Sequence, residues 1–355
     1  MPEAADAAPA GVDLDRLRAF FAHHVPGATD APLHASLLAG GRSNLTYAVS
    51  DGSREWVLRR PPLGHVLPTA HDMAREARVL RALADTDVPV PRVLASCDDE
   101  SVNGAPFYVM EKVDGTILRT PEQLARLGRD DARRCSVELV DVLVRIHAVD
   151  FPSVGLGDFG RPDGFLERQV RRWAQQWERS KSRELPAIDE LSRRLRLALP
   201  TSPPPTIVHG DYRLDNTMLD PSDPGRIIAV LDWEMATLGD PLADVGLFLL
   251  YWGREDAQLV ATGTAIDPGA GFLSREEVTE QYSTSSGRDV DQLDFYEVLA
   301  AYKLAIIVEG INARFLMGKT VGDSSFGDAG LAIVDRLAQS ALDVASRSAI
   351  PALRT

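Results

Sequence analysis

Apolar positions recur along this chain with two periods, and the change from one to the other marks out its organisation. LDRLRAFFAHHV (14–25) is amphipathic and follows Asp13, a residue suited to capping, so it predicts a short helix ending at the Pro26-Gly27 break. In SLLAGGRSNLTYAVSDGSREWVLRRPP (36–62) two apolar runs flank Gly40-Gly41, and the polar turn at Asp51-Gly52 separates the second from a third. That alternation predicts consecutive antiparallel strands. Met73, Ala77, Leu80 and Leu83 then repeat at helical spacing, Pro89 and Pro91 break the pattern, and RVLASC and PFYVMEKVDG read as two more strands. From Pro121 onward the texture is helical, as in DDARRCSVELVDVLVRIHAV and FLERQVRRWAQQWERS, joined later by a hairpin-like pair around Ile207 and Val230. The expectation is an α+β chain: a tail and helix over 1–35, a small antiparallel β lobe with one main helix over 36–112, and a larger, mostly helical lobe over 113–355.

Composition narrows the function classes. With 45% hydrophobic and 25% charged residues the 355-residue chain has the balance of a soluble globular protein. A formal charge of −14 repels nucleic acid and anionic membrane, although a local basic pocket remains open to an anionic substrate. Cys97 and Cys135 are the two cysteines and have no metal-ligand spacing, so they read as structural thiols in a reducing compartment. The Ala/Pro-rich, acidic N-terminus lacks the basic and apolar regions of a signal peptide, and VGLFLLYW and LAIIV fall short of a membrane span. A cytoplasmic location is expected.

The chemistry concentrates in VHGDYRLDNTMLD (208–220) and VLDWE (230–234). A carboxylate beside a buried strand is costly unless a cation, a hydrogen bond or water compensates it. Phosphoryl transfer from a nucleotide needs a carboxylate to orient the acceptor hydroxyl and hard oxygen ligands for Mg²⁺. Asp211, Asn216 and Asp232 supply both: Asp211 as the catalytic carboxylate, Asn216 and Asp232 as metal ligands. His209 reads as a brace for the loop, and Asp240 and Asp244 as a helix cap and a buried support.

HGDYRLDN resembles the catalytic loop of the protein-kinase-like superfamily, H-R-D-x-x-x-x-N, with LDWE standing where D-F-G would be. Gly in place of Arg is similar to the aminoglycoside phosphotransferase and choline kinase branch, which acts on small molecules. The resemblance implies a bilobal kinase-like fold using ATP and Mg²⁺. Under it, GGRSNLTY takes the place of the phosphate-covering hairpin, giving Ser43 and Asn44 a role near the phosphates. WVLRR puts Arg59 where kinases carry a phosphate-binding Lys, with Glu76 as its partner. YVMEKVDG resembles the adenine-binding hinge, with Met110 behind the ring and the Glu111 carbonyl and Val113 amide on its edge. RQVRRWAQQWERS and LDWEMATLGDPLADVG look closest to kinase-like domains found alone in actinobacteria or fused to acyl-CoA dehydrogenases, which implies a hydroxyacyl-CoA thioester as a candidate acceptor.

The acceptor side is thinner in the sequence. Arg168, Arg172 and Trp173 on one helix and Arg314 on another are the candidate substrate residues; the competing reading is a solvated basic face and a mostly buried C-terminal helix. Two rivals stay open: a kinase for an aminoglycoside or another cationic alcohol, and a catalytically silent pseudokinase that binds nucleotide or a partner. The expected partner is a small hydroxyl-bearing molecule, with no nucleic acid and no membrane, and the chain acts as a monomer or homodimer.

Overall fold

The computed structural model describes residues 9–38, 44–63, 72–253, 266–316 and 327–355. They belong to two units, Met1–Gly115 with Ile228–Ala236, and Thr116–Ile227 with Thr237–Thr355.

In the first unit α1 (Leu14–His24) starts on Asp13, whose side chain accepts from the Arg16 N–H as the sequence predicts. The strands β1 (His34–Leu37), β2 (Leu45–Ser50), β3 (Glu55–Arg60), β4 (Val93–Cys97) and β5 (Phe107–Glu111) form one antiparallel sheet in the order β1-β2-β3-β5-β4. Successive side chains of a strand face opposite sides. Trp56 and Leu58 of β3, with Phe107 and Val109 of β5, therefore share a core with Leu17 and Phe21 of α1. Phe21 meets Trp56 edge-on at 5.5 Å between ring centroids, an arrangement that adds about 0.5–1.5 kcal/mol beyond burial. The alternate residues Arg59 and Tyr108 are register partners on the other face. There α2 (Met73–Leu83) packs, burying Met73, Ala77, Leu80 and Leu83 as their spacing predicts, and burying Glu76 with them.

The second unit is mostly helical. Its main helices are α5 (Arg129–Ala148), α6 (Phe165–Ser180), α7 (Pro186–Leu197), α8 (Leu242–Leu250), α9 (Arg275–Ser286), α10 (Leu293–Leu316) and α11 (Gly327–Arg347); the one-turn helices α3 (Glu100–Asn103, in the first unit), α4 (Pro121–Leu124) and α12 (Pro351–Arg354) complete the set. Helix α6 spans the same residues as the segment FLERQVRRWAQQWERS. Helices α8 and α10 cross closely at Gly246, where a Cβ would stand 2.5 Å from the Tyr296 carbonyl carbon. The expected hairpin around Ile207 and Val230 does not form. Instead β6 (Thr206–Val208) pairs with β9 (Thr237–Gly239), and β8 (Asp223–Val230) pairs with β7 (Thr217–Asp220). The physical reason is local: β7 and β8 are joined by a two-residue turn, which makes their pairing the cheaper loop closure. Among the described residues no helix is long and apolar enough to cross a membrane.

Candidate active site

The H-G-D turn leaves β6 in the second unit and is wired almost entirely through its backbone. The His209 N–H donates to Asp244 Oδ2 at 2.7 Å and the Gly210 N–H to Asp244 Oδ1 at 2.8 Å, so one carboxylate holds two consecutive peptides. Gly210 adopts φ +85°, a left-handed conformation that a side chain would oppose. The Asp211 N–H donates to His209 Nδ1 at 3.2 Å, which makes the fully buried imidazole the brace the sequence suggested. Lys303 of α10 donates to the Gly210 carbonyl at 3.0 Å, closing the turn from the other side.

Asp244 lies within α8 and is itself buried. His147 Nε2 stands 3.3 Å from its Oδ2, and His147 Nδ1 lies 2.8 Å from the Tyr282 hydroxyl. Burial pushes the Asp244 carboxyl up, but the His147 hydrogen bond, the nearby His147 and His209 imidazoles and the Gly210 amide outweigh it and hold it below the usual carboxylate range. Burial also pushes the His147 imidazole down, so it stays neutral, donating through Nε2 and accepting at Nδ1. Asp240 precedes Pro241, the N-cap of α8, so it is not the cap expected from the sequence; its carboxylate accepts from the Leu242 N–H at 3.0 Å and from the Tyr296 hydroxyl at 2.7 Å.

Past the turn, a 3-10 segment (Leu214–Asn216) folds Asn216 back onto Asp211. Its Nδ2 donates to the Asp211 carbonyl at 2.8 Å and to Asp211 Oδ2 at 3.0 Å. With the amide nitrogen committed, the Asn216 oxygen is the atom left to accept or ligate. Hard oxygens of an aspartate and an asparagine suit Mg²⁺, which needs few protein ligands when phosphates and water supply the rest.

In the first unit a second charged group forms around Arg59. Its Nε lies 3.0 Å from Glu76 Oε2, one Nη lies 2.5 Å from Asp232 Oδ1, and the same nitrogen lies 3.7 Å from Glu234 Oε2. One guanidinium thus serves three carboxylates. Burial pulls the Arg59 pKa down, but Glu76, Tyr108, Asp232 and Glu234 together drive it well above its usual value, so it stays charged. Burial pushes the Glu76 carboxyl up against the pull of Arg59, and the buried Tyr108 shares a hydrogen bond with it. Asp232 itself sits at φ 64°, ψ 60°, the one non-glycine with positive φ among the described residues. Such a backbone costs on the order of 1–3 kcal/mol and marks residues that the surroundings hold in place. Trp233 helps, donating from Nε1 to the Val230 carbonyl at 3.0 Å, while the Val230 N–H donates to the Pro89 carbonyl at 2.8 Å.

The remaining candidates are distributed as follows. Asn44 is buried and donates to Glu234 Oε2 at 2.8 Å; Ser43 lies outside the described residues. Met110 and Glu111 end β5, and Val113 follows it. The Arg168 guanidinium donates to the carbonyls of Arg161 and Asp163, tying down the loop before its own helix. Arg172 and Lys303 both lie against the Trp173 indole, at 6.0 and 5.8 Å from the ring centroid. Arg314 is exposed near the end of α10. Members of these groups that escaped the sequence reading include Lys303, Glu234, Tyr108 and His147. For Lys303 a signal existed, a lone cation inside LAAYKLAIIV; Tyr108 offered none in a strand of apolar neighbours.

Over residues 34–278 the chain matches the family described as phosphotransferase enzyme family. Acyl-CoA dehydrogenase family member 11 of Rattus norvegicus is 36% identical over 345 residues, which is 95% of this chain and 44% of that protein. The chain therefore spans less than half the length of that curated relative. A Ralstonia eutropha protein provisionally designated an aminoglycoside phosphotransferase has a solved structure at TM-score 0.80 and 32% identity, covering 94% of this chain and 99% of its own. Choline kinase from Cryptosporidium parvum shares the fold at TM-score 0.65 and 14% identity, covering 96% and 99%. An aminoglycoside phosphotransferase in ternary complex with ADP and hygromycin B shares it at TM-score 0.58 and 14% identity, covering 91% and 98%. The chain has the mixed α+β, protein-kinase-like fold of these neighbours, and it belongs to the phosphotransferase enzyme family.

Proposed function

We propose that this chain is a small-molecule kinase that moves the γ-phosphoryl group of ATP, bound with Mg²⁺, to the hydroxyl of a diffusible cytoplasmic acceptor, with hydroxyacyl-CoA thioesters as the candidate class. The observation that carries the reading is the Asp211–Asn216 arrangement: a carboxylate on a backbone-clamped turn, gripped by an amide whose oxygen is left for a metal. Asp211 accepts the hydroxyl proton and aligns the oxygen for attack, a contribution of about 10²–10⁴-fold in comparable acid–base steps. Asn216 and Asp232 would hold the metal, which when bound supplies positive charge on the phosphates.

Arg59, positioned by Glu76, neutralises phosphate charge on the nucleotide, and Ser43 and Asn44 cover it. The Met110, Glu111 and Val113 segment would take the adenine. Trp173 and Arg172 would line the acceptor side. Two comparisons support this reading: an aminoglycoside phosphotransferase that shares the fold forms a ternary complex with ADP and hygromycin B, and the curated relative carries an acyl-CoA dehydrogenase family name.

The test is label transfer from γ-labelled ATP with Mg²⁺ and three acceptor sets: hydroxyacyl-CoAs, aminoglycosides and choline-like alcohols. The expected result is label on the hydroxyl of a hydroxyacyl-CoA. Transfer to a cationic alcohol alone would reassign the acceptor. Nucleotide binding with no transfer to any set would sink the kinase reading.

A further inference from the structure

Helix α10 is apolar around its middle, with Tyr302, Leu304, Ala305 and Ile306 all buried. Lys303 interrupts that run. A lysine in such a place carries a desolvation cost that a leucine would not, so its surroundings must compensate the ammonium. Three features do so. Its Nζ donates to the Gly210 carbonyl at 3.0 Å, it lies 5.8 Å from the centroid of the Trp173 ring, and the Asp211 and Asp244 carboxylates face it. Arg172 from α6 is the opposing cation. Burial nonetheless pulls the Lys303 pKa down, with the two carboxylates resisting and Arg172 adding to the fall.

The carbonyl it grips matters more than the charge count. Gly210 C=O belongs to the peptide unit that leads into Asp211, and the Gly210 N–H on its other side is held by Asp244. The glycine at φ +85° is thus pinned at both of its polar groups. Hydrogen bonds to an ionised donor are roughly twice as strong as neutral ones, so the ammonium fixes this peptide better than a neutral donor could. Helix α10 is tied through Lys303 to the direction in which the Asp211 side chain leaves the turn.

We propose that Lys303 is a positioning residue for Asp211: by holding the Gly210 carbonyl it sets the plane of the peptide that precedes the catalytic carboxylate, and the Trp173 indole keeps its ammonium in place. The proposal rests on the kinase reading, because it gives Asp211 the role that Lys303 serves. It adds a residue, on a different helix, that no motif announced.

Three substitutions separate its parts. Lys303→Arg keeps donor and charge, Lys303→Gln keeps a donor without charge, and Lys303→Met removes both. Kinetics with γ-labelled ATP are paired with the ¹³C resonance of the Gly210 carbonyl, which reports the hydrogen bond without turnover. For Lys303→Met the expected loss is about 10²-fold in kcat, the size of a small misplacement at a reacting group, with KM for ATP unchanged within about twofold. Lys303→Gln should fall between, and Lys303→Arg should restore kcat to within about fivefold of wild type.

The Gly210 carbonyl signal should move upfield in Lys303→Met and stay near its wild-type position in Lys303→Arg. Should Lys303→Met fail to fold, the order Arg above Gln in both readouts tests the same claim. A Gly210 signal that does not move when the ammonium is lost, or a KM change with kcat intact, would overturn the assignment. Absence of any transfer by wild type would sink the kinase reading instead, and the carbonyl signal would still decide whether Lys303 holds the turn.

Discussion

The two charged groups solve the same electrostatic problem in opposite ways. Around the H-G-D turn of the second unit, the buried Asp244 is met by two backbone amides and a neutral imidazole, and the turn is closed by the Lys303 ammonium. Its negative charge is answered by fixed dipoles that belong to the fold. Around Arg59 of the first unit, three carboxylates face one guanidinium, and Asp232 is held in a left-handed backbone to do so. Negative charge is in excess there, and a bound cation would relieve it. The first arrangement balances its carboxylate with groups of the fold; the second leaves three carboxylates to share one guanidinium.

That contrast can be broken by mutation. The largest effect is expected at Asp211: Asp211→Asn should lower phosphotransfer by about 10³-fold with MgATP binding retained, and equal turnover by the variant would remove its catalytic role. Next comes the support beneath it. Asp244→Ala leaves two backbone N–H groups and His147 without their acceptor, each costing about 1–3 kcal/mol, so denaturant unfolding should show a loss of about 3 kcal/mol or more. A loss below about 1 kcal/mol would mean the dipoles are satisfied otherwise.

In the first unit Arg59→Met strands Glu76, Asp232 and Glu234 together and should cost about 2–3 kcal/mol while raising KM for ATP, with Arg59→Lys intermediate. A variant as stable as wild type would show that the carboxylates do not depend on the guanidinium.

The pH dependence of stability sharpens the same comparison. His147 is depressed in the folded state, so between that lower value and the ordinary value near 6.5 the unfolded chain binds the extra proton. Stability should therefore decline as pH falls below about 6.5, and His147→Gln should flatten that decline; a wild-type profile in the variant would contradict it. The smallest effect belongs to Glu234→Gln. Removing one of three like charges should leave the melting temperature unchanged or slightly raised, within about 1 kcal/mol, and a marked fall would show that Glu234 is needed as an anion.

Much of this was legible in the sequence, and for physical reasons. Helical spacing placed Met73, Ala77, Leu80 and Leu83 on a buried face, because one side of a helix must find a core. The spacing of Asp211 and Asn216 reported a short turn that returns on itself, a local feature that a local motif can encode. What stayed hidden was tertiary. Thr206–Val208 and Thr237–Gly239 are three-residue strands, too short to show a period, and their pairing depends on a partner far along the chain. That Ile228–Ala236 packs with the first unit has no signature in its own residues; Val230 reaches Pro89 through backbone atoms that every sequence has. Lys303 lay in plain view as a cation in an apolar helix, but its target is a carbonyl, which no sequence pattern marks.

The proposed kinase depends on Asn216 and Asp232 each acting as a metal ligand when nucleotide is bound. Titration of Mn²⁺ in the presence of ATP, followed by the loss of the free-ion EPR signal, tests it most directly in wild type, Asn216→Ala and Asp232→Ala. Both variants should bind the metal–nucleotide pair at least about tenfold more weakly, the loss of about 1.4 kcal/mol or more expected for a missing ligand. Wild-type affinity in either variant would contradict the account.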